Sequence, residues 1–79
     1  MADAKITVLV TTGEGVLFDG TATALTFPGE QGTFEVLPLH RPLITRLRAG
    51  ELTIDERAFA IRHGVVRVAD DRVTAVVEL

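Results

Sequence analysis

The sequence contains no cysteine, tryptophan or tyrosine, and it has a single lysine among its 79 residues. Because there is no cysteine, the chain can form neither a disulfide nor a reactive thiolate, which fits an intracellular setting. The lysine, Lys5, precedes the first strand-like segment, whereas lipoyl and biotinyl carrier domains need an acceptor lysine at a hairpin tip. The composition therefore argues against that class of small β-domain.

Long apolar runs and concentrations of basic charge are also missing. No apolar segment approaches the roughly 20 residues of a membrane-spanning helix, and the amino end lacks the pattern of a signal peptide. We therefore expect no direct insertion into a bilayer. The net charge is −3, with one lysine against five acidic residues in positions 1–40 and seven arginines against six acidic residues afterwards. This distribution offers no basic footprint for nucleic acid.

Residues that could carry chemistry are few and scattered. The two histidines, His40 and His63, lie in separate predicted turns without the third ligand that a zinc site or a cupin would need. The acidic pairs 55–56 and 70–71 also fall in predicted turns, where aspartate bonds to nearby backbone. Residues 13–15 lack the lysine and the following helix of a phosphate-binding loop. We therefore expect no catalytic site, no metal and no cofactor.

Alternation of apolar and polar residues with a period of two runs along nearly the whole chain. Together with 47% hydrophobic and 24% charged residues, this pattern predicts a folded, all-β domain that covers residues 1–79. The predicted architecture is an antiparallel β-sandwich or flattened barrel of about nine or ten short strands. Between the terminal strands, strands are predicted at 16–18, 21–27, 33–37, 43–47, 51–54, 57–62 and 65–68. Turns are predicted at 13–15, 19–20, 49–50, 55–56, 63–64 and 70–71.

The segment 28–43, which reads PGEQGTFEVLPLHRPL, contains all three prolines of the chain. Pro28 and the glycines that follow it supply the fixed and the permissive backbone angles of a tight connection. Pro38 and Pro42 favour extended geometry in the residues before them, so His40 is held on a stiff turn. This segment is therefore predicted to be a shaped and conformationally restricted surface.

The order of residues in this segment, P-G-x-x-G-x-F-x-V-L-P-x-H-x-P-L, resembles that of the ε subunit of F-type ATP synthases. Residues 16–20, 45–52 and 72–77 resemble, in the same order, an early turn, a middle segment and the closing strand of that family. The resemblance implies the N-terminal β-sandwich of a non-catalytic central-stalk subunit, which couples ring rotation to ATP synthesis and hydrolysis. It also implies a peripheral position on the cytoplasmic face of the bacterial inner membrane.

The resemblance further implies two protein partners, the γ subunit and the membrane-embedded c-ring. The residues that correspond to the γ interface are Thr12, His40, Arg41, Pro42 and Leu43. The residues that correspond to the c-ring-facing loop are Gly29, Glu30, Gln31, Gly32 and Thr33. Each set also has an interpretation without a partner. The residues around His40 can form a turn that is hydrogen-bonded to backbone, and residues 29–33 can form an ordinary polar loop. The alternation suggests Leu9, Leu17 and Val65 as apolar residues at the γ interface or, equally, in the core.

Two features of the sequence limit what the resemblance implies. Family members commonly continue into two helices implicated in nucleotide binding and in restraint of ATP hydrolysis, whereas this sequence ends with the last predicted strand, so we expect no nucleotide site. The chain also departs from the residues common in the family at Leu39, His63 and Arg67.

An alternative function is that of a free-standing β-sandwich adaptor unconnected to the synthase, because fold alone does not assign function.

Overall fold

Nine β-strands account for the fold of residues 4–79, which are the residues that the computed structural model describes. The first three residues of the predicted domain lie outside this range. No helix occurs between residues 4 and 79. The strands are β1 (Ile6–Thr12), β2 (Gly15–Ala22), β3 (Leu25–Gly29), β4 (Gly32–Val36), β5 (Leu43–Leu47), β6 (Gly50–Ile54), β7 (Arg57–Ile61), β8 (His63–Ala69) and β9 (Arg72–Glu78).

The strands form one curled sheet whose two halves make the layers of a sandwich. The first layer has the order β2-β1-β9-β8-β5, and the second has the order β4-β3-β6-β7. The layers are joined where Gly29 of β3 pairs with Leu47 of β5. All pairs are antiparallel except β1 and β9, which run parallel. The predicted fold class is therefore confirmed, with one parallel pair in the middle of the first layer.

The core lies between the two layers and is entirely apolar within the described residues. It forms because alternate residues of each strand point inward, so period-two patterning converts directly into a buried face. Phe27 lies at its centre and stacks on the half-buried Phe34 with the ring centroids 5.6 Å apart. Burial of apolar surface is thus the main source of stability in this small domain. The core residues are Ile6, Val8, Val10, Ala22, Leu25, Phe27, Val36, Leu47, Leu52, Ile54, Ile61, Val66, Val68, Val73, Ala75 and Val77.

The turn predicted at residues 19–20 is wrong, because β2 continues through it. Asp19 pairs with Leu9 and Gly20 pairs with Val8, and the ring of Phe18 lies beside Gly20. The chain turns instead at residues 23–24, so the strand predicted at 21–27 is wrong as one element and is divided between β2 and β3. Asp55 makes this turn possible, because its carboxylate Oδ1 accepts hydrogen bonds from both amides of the turn at 3.0 Å.

The turn predicted at residues 63–64 is also wrong, since both residues belong to β8 and only Arg62 separates β8 from β7. Gly64 is needed here for close packing of two strands and not for a turn. A Cβ atom on Gly64 would lie 2.5 Å from the carbonyl oxygen of Val76 on the adjacent strand. Gly64 therefore allows β8 and β9 to approach each other closely.

An irregularity in β2 decides the orientation of Leu17. The register between β1 and β2 shifts between Val10 and Thr11, because Val10 pairs with Phe18 whereas Thr11 pairs with Val16. Leu17 is the extra residue of this bulge, and its side chain packs against the core. Of the two alternatives left open for Leu17, the structure therefore supports the core.

Candidate protein interface

The first layer presents an exposed apolar patch on its outer face. Thr11 of β1 lies opposite Val16 on β2 and opposite Val76 on β9, and Val65 on β8 lies opposite Val76. Val16, Val76 and Val65 are 63%, 56% and 48% exposed although they lie in paired strands. Covering such a patch with another protein is favourable, because it removes apolar surface from water. We define the outer patch by its apolar residues, which are Leu9, Val16, Ile44, Val65 and Val76.

The outer face of the second layer has the opposite character. Its central strands pair Thr26 with Thr53, and the two hydroxyls are hydrogen-bonded to each other. Glu35 pairs with Thr26, and Glu51 pairs with Ala60. These residues are polar or small and suit contact with water. The contrast between the faces makes the first layer the candidate side for a protein interface.

Charged residues border the outer patch on two sides. Asp19 pairs with Leu9 at the β2 edge, whereas Arg67 pairs with Ile44 and Arg46 pairs with Val65 at the β5 side. An acidic residue thus lies beside the patch on β2, and two basic residues lie beside it on β8 and β5. Such an arrangement contributes to the orientation of a bound partner more than to its affinity.

The segment between β4 and β5 forms a turn whose backbone is fixed by three hydrogen bonds. The amide of Leu39 donates to Oδ1 of Asp71 at 2.6 Å, and the amide of His40 donates to the carbonyl of Leu37 at 3.2 Å. The His40 ring is half-buried, and its Nδ1 lies 2.7 Å from the carbonyl oxygen of Arg41. Because a carbonyl only accepts, this hydrogen bond requires a proton on Nδ1.

The loop predicted to face the c-ring is the hairpin between β3 and β4. Only Glu30 and Gln31 lie outside the strands, and both are exposed, whereas Gly29 is buried. The amide of Glu30 donates to the carbonyl of Arg46 at 3.0 Å, and the amide of Arg48 donates to the carbonyl of Pro28 at 2.9 Å. The hairpin is therefore fixed to β5, and its polar tip is presented on a rigid support.

The structure brings most of the predicted interface residues together but separates one of them. His40 and Leu43 share a shallow recess of about 350 Å³ with the hairpin residues 29–33 and with Phe34 and Thr45. Thr12 lies three strands away from β5, about 14 Å at the usual strand spacing. Its hydroxyl accepts a hydrogen bond from the amide of Glu14 at 3.1 Å and shapes the turn between β1 and β2. The two predicted residue sets thus meet along one flank of the sandwich.

Sequence reasoning missed three apolar members of the outer patch, Val16, Ile44 and Val76. A signal for Val76 is present in the sequence, because it alternates with Ala75 and Val77 and falls on the same side as the polar residues Thr74 and Glu78. The contacts of Asp55 and Asp71 with backbone more than thirty residues away had no signal in the sequence, since they arise only from the fold.

Asp55 connects the two layers, and the pKa of its carboxyl is lowered. Its Oδ1 accepts hydrogen bonds from the Thr23 hydroxyl at 2.8 Å and from the amides of Thr23 and Ala24, which lower the pKa of this carboxyl. The carboxyl of Asp55 has a structural role, because it holds the connection between β2 and β3 against the β6–β7 turn.

Residues 4–79 contain no cluster of three or more potential metal-ligating side chains and no helix long and apolar enough to cross a membrane.

The fold and the outer patch together define a small β-sandwich with a surface suited to bind another protein. Residues 5–78 match the family model for the ATP synthase delta/epsilon chain, β-sandwich domain. The chain belongs to this family, as the sequence resemblance predicted.

Curated relatives agree with this assignment. The chain is 38% identical over 74 residues to the ATP synthase epsilon chain of Nitratiruptor sp., a match that covers 87% of this chain and 57% of the relative. It is 38% identical over 79 residues to the ATP synthase epsilon chain of Sulfurimonas denitrificans, covering 94% of this chain and 61% of the relative. The chain thus spans about three fifths of the length of these relatives.

Two solved structures have the same fold. A chain in the cryo-EM structure of the central stalk and c-ring of the Tetrahymena thermophila mitochondrial ATP synthase superposes with a TM-score of 0.81 at 15% identity, covering all of this chain and 67% of that one. A chain in the Euglena gracilis mitochondrial ATP synthase structure gives a TM-score of 0.85 at 21% identity, covering 94% of this chain and 51% of that one. At these identities the likeness supports the fold.

Proposed function

We propose that this chain is a single β-sandwich domain of an ε subunit that joins the central stalk of an F-type ATP synthase. In this role it binds the γ subunit and the c-ring and transmits rotation between them without carrying out catalysis itself. As part of that complex it lies peripherally on the cytoplasmic face of the bacterial inner membrane. The observation that carries the proposal is the outer patch, an exposed apolar sheet face in a chain of this family.

The outer patch and the adjoining turn are suited to the γ subunit. Docking there removes the exposed surface of Val16, Ile44, Val65 and Val76 from water, at about 25 cal/mol per Å² of apolar area. Val76 and Val65 lie on the central strands of the layer, and the exposed charged residues Asp19 and Arg67 lie beside other patch members. An apolar centre with a polar rim is the usual anatomy of a protein interface.

The hairpin tip is suited to a different partner, the polar loops of the c-ring. Glu30 and Gln31 are exposed and polar, and their backbone is anchored to β5. Because the hairpin and the outer patch belong to one rigid sandwich, binding of γ raises the effective concentration of the tip at the ring. Two weak contacts thereby give a tight and stiff connection.

A calorimetric titration against the recombinant γ subunit of the same organism tests the proposal. We expect one-to-one binding with a negative heat-capacity change, because apolar surface is buried. Val76→Lys should weaken binding by about tenfold or more, since it adds a charge to the centre of the outer patch. Ala60→Lys makes the same change in charge on the outer face of the second layer, opposite Glu51, and should leave the affinity unchanged.

Each outcome of this titration has a clear meaning. Absence of binding by the unaltered chain at micromolar concentrations would overturn the proposal and favour the free-standing adaptor. Equal loss of affinity for Val76→Lys and Ala60→Lys would contradict the assignment of the interface to the first layer.

A further inference from the structure

Leu39 combines an unfavourable backbone conformation with an unfavourable exposure. Its φ is +70°, in the left-handed region that leucine seldom adopts, and its side chain is 86% exposed. A glycine would relieve the backbone, and a polar residue would suit the solvent. In the isolated chain, therefore, neither the φ angle nor the side chain of Leu39 favours the fold.

The surrounding structure nevertheless fixes this residue firmly. The 2.6 Å hydrogen bond from its amide to Asp71 attaches the turn to the β8–β9 hairpin of the first layer. Pro38 and Pro42 restrict the backbone on both sides, and the bond from the amide of His40 to the carbonyl of Leu37 closes the turn. A strained residue that its neighbours hold in place is a signature of a functional contact.

We infer that Leu39 is a specificity-determining residue for the γ subunit, into which it inserts as a preorganised apolar side chain. This inference rests on the proposed function and adds to it the residue by which the turn recognises its partner. Because hydrogen bonds already hold the backbone of the turn, insertion of Leu39 loses little backbone conformational entropy on binding.

The γ subunit is the partner that fits Leu39 best by chemistry and by position. The c-ring contact is assigned to the polar Glu30–Gln31 tip, and an apolar side chain does not suit polar loops. The turn is bonded to Asp71 in the first layer, which carries the outer patch, and Ile44 of that patch follows Pro42 by two residues. Leu37, which is 48% exposed, adds a second apolar side chain beside the turn. Leu37 and Leu39 are thus exposed apolar residues on the segment that leads directly into Ile44 of the patch.

Variants of Leu39 separate its effect on folding from its effect on binding. Leu39→Gly should raise the melting temperature by about 4 °C or more, because it relieves the left-handed leucine, and should weaken γ binding by about tenfold. Leu39→Ala should weaken binding to a similar extent without the gain in melting temperature. Leu39→Met keeps an apolar side chain and should bind within about threefold of the unaltered chain. Calorimetry with the γ subunit of the same organism and thermal denaturation measure both effects.

A second pair of variants tests the preorganisation of the turn. Asp71 and Asp70 both have positive φ, +56° and +53°, so glycine suits either position. Asp71→Gly removes the hydrogen bond to Leu39 and should weaken γ binding several-fold, because the turn must then be ordered on binding. Asp70→Gly, in the same hairpin, removes no such bond and should bind as the unaltered chain does.

The outcomes distinguish this inference from the proposed function. If the unaltered chain binds γ and Leu39→Ala binds equally well, the role of Leu39 is overturned while the proposed function stands. If the unaltered chain does not bind γ, both are overturned. Equal affinities for Asp71→Gly and Asp70→Gly would overturn the preorganisation of the turn.

Discussion

Gly29 is a residue whose missing side chain shapes the proposed c-ring contact. A Cβ atom there would lie 2.7 Å from the carbonyl oxygen of Gly32 and 2.9 Å from the ring of Phe34. We therefore expect Gly29→Ala to destabilise the domain by about 1–3 kcal/mol, the usual cost of overpacking. Gly13→Ala is the matched control, because no atom lies within 4 Å of its Cβ position. Urea denaturation measures both, and similar losses in the two variants would contradict this account.

Asp55 gives the stability of the domain a defined dependence on pH. Its hydrogen bonds from Thr23 lower the pKa of the carboxyl in the folded state below the ordinary value of 3.8. The stabilisation from the charged form is therefore complete above about pH 4 and is lost as the pH falls through the folded-state pKa. Asp55→Asn keeps an oxygen acceptor and tolerates the φ of +51°, so it removes mainly the charge.

We accordingly expect Asp55→Asn to be less stable than the unaltered chain at pH 7, with the difference shrinking below pH 4. Urea denaturation at neutral pH and at two acidic pH values measures this difference. A difference that stays constant across the acidic range would mean that the carboxylate charge contributes nothing.

At the level of residues, the sequence predicted the turn aspartates but only part of their role. Aspartate in a hairpin turn is favoured locally, so residues 55–56 and 70–71 were correctly assigned as turns. The hydrogen bonds of Asp55 to residues 23–24 and of Asp71 to Leu39 form only because the fold brings these hairpin turns next to those loops. That proximity is a property of the folded chain, and local propensity carries no information about it.

Among the strands, β3 has the greatest influence on the architecture, because it pairs with β4, β5 and β6 and joins the two layers. Its Phe27 is completely buried, whereas Phe59 on the edge strand β7 is half-buried. We expect Phe27→Ala to cost about 3–5 kcal/mol and Phe59→Ala clearly less, because a cavity in the centre cannot be filled by water or relaxation. Urea denaturation of both variants measures the difference, and equal costs would contradict the central position of β3.

Strand existence was easier to predict than strand ends. The alternation predicts nine strands in the observed order, but the segment predicted at 21–27 covers the end of β2 and the start of β3. Strand β9 alternates strictly between exposed and buried residues, whereas β3 is buried at four of its five positions. The errors at residues 19–20 and 63–64 share one cause, since Gly20 and Gly64 were interpreted as turn residues. Both lie inside strands, where a neighbouring side chain or backbone occupies the space beside them. Sequence alone does not distinguish a glycine needed for close packing from one needed for a turn.

For the whole molecule, the proposed coupling role makes a prediction about the hairpin tip. Glu30→Lys combined with Gln31→Lys should weaken the contact with the ring, because it replaces one negative and one neutral side chain with two positive ones. Binding to γ should survive, since the tip lies outside the outer patch. Proton-driven ATP synthesis in vesicles reconstituted with the complete synthase measures coupling, and calorimetry measures γ binding. Unchanged synthesis would contradict the role of the tip.

At the same scale, the family and the sandwich were both predictable from the sequence, whereas the layout of the interface was not. The motif in residues 28–43 has a characteristic order, and its matches extend along the chain. Whether Thr12, His40 and Leu43 adjoin one another depends on the order of strands in the first layer. That order includes the parallel pairing of β1 with β9, which no local pattern indicates.

The parallel pairing of the first strand with the last has a consequence for how the protein is made. Until β9 has left the ribosome, β1 lacks its central neighbour, and β8 cannot be connected to β1 in the first layer. The nascent chain therefore holds β1 and β2 as an isolated hairpin, which is marginally stable in water. The first layer can therefore be completed only after synthesis of β9, and the large sequence separation of β1 and β9 is of the kind that slows folding.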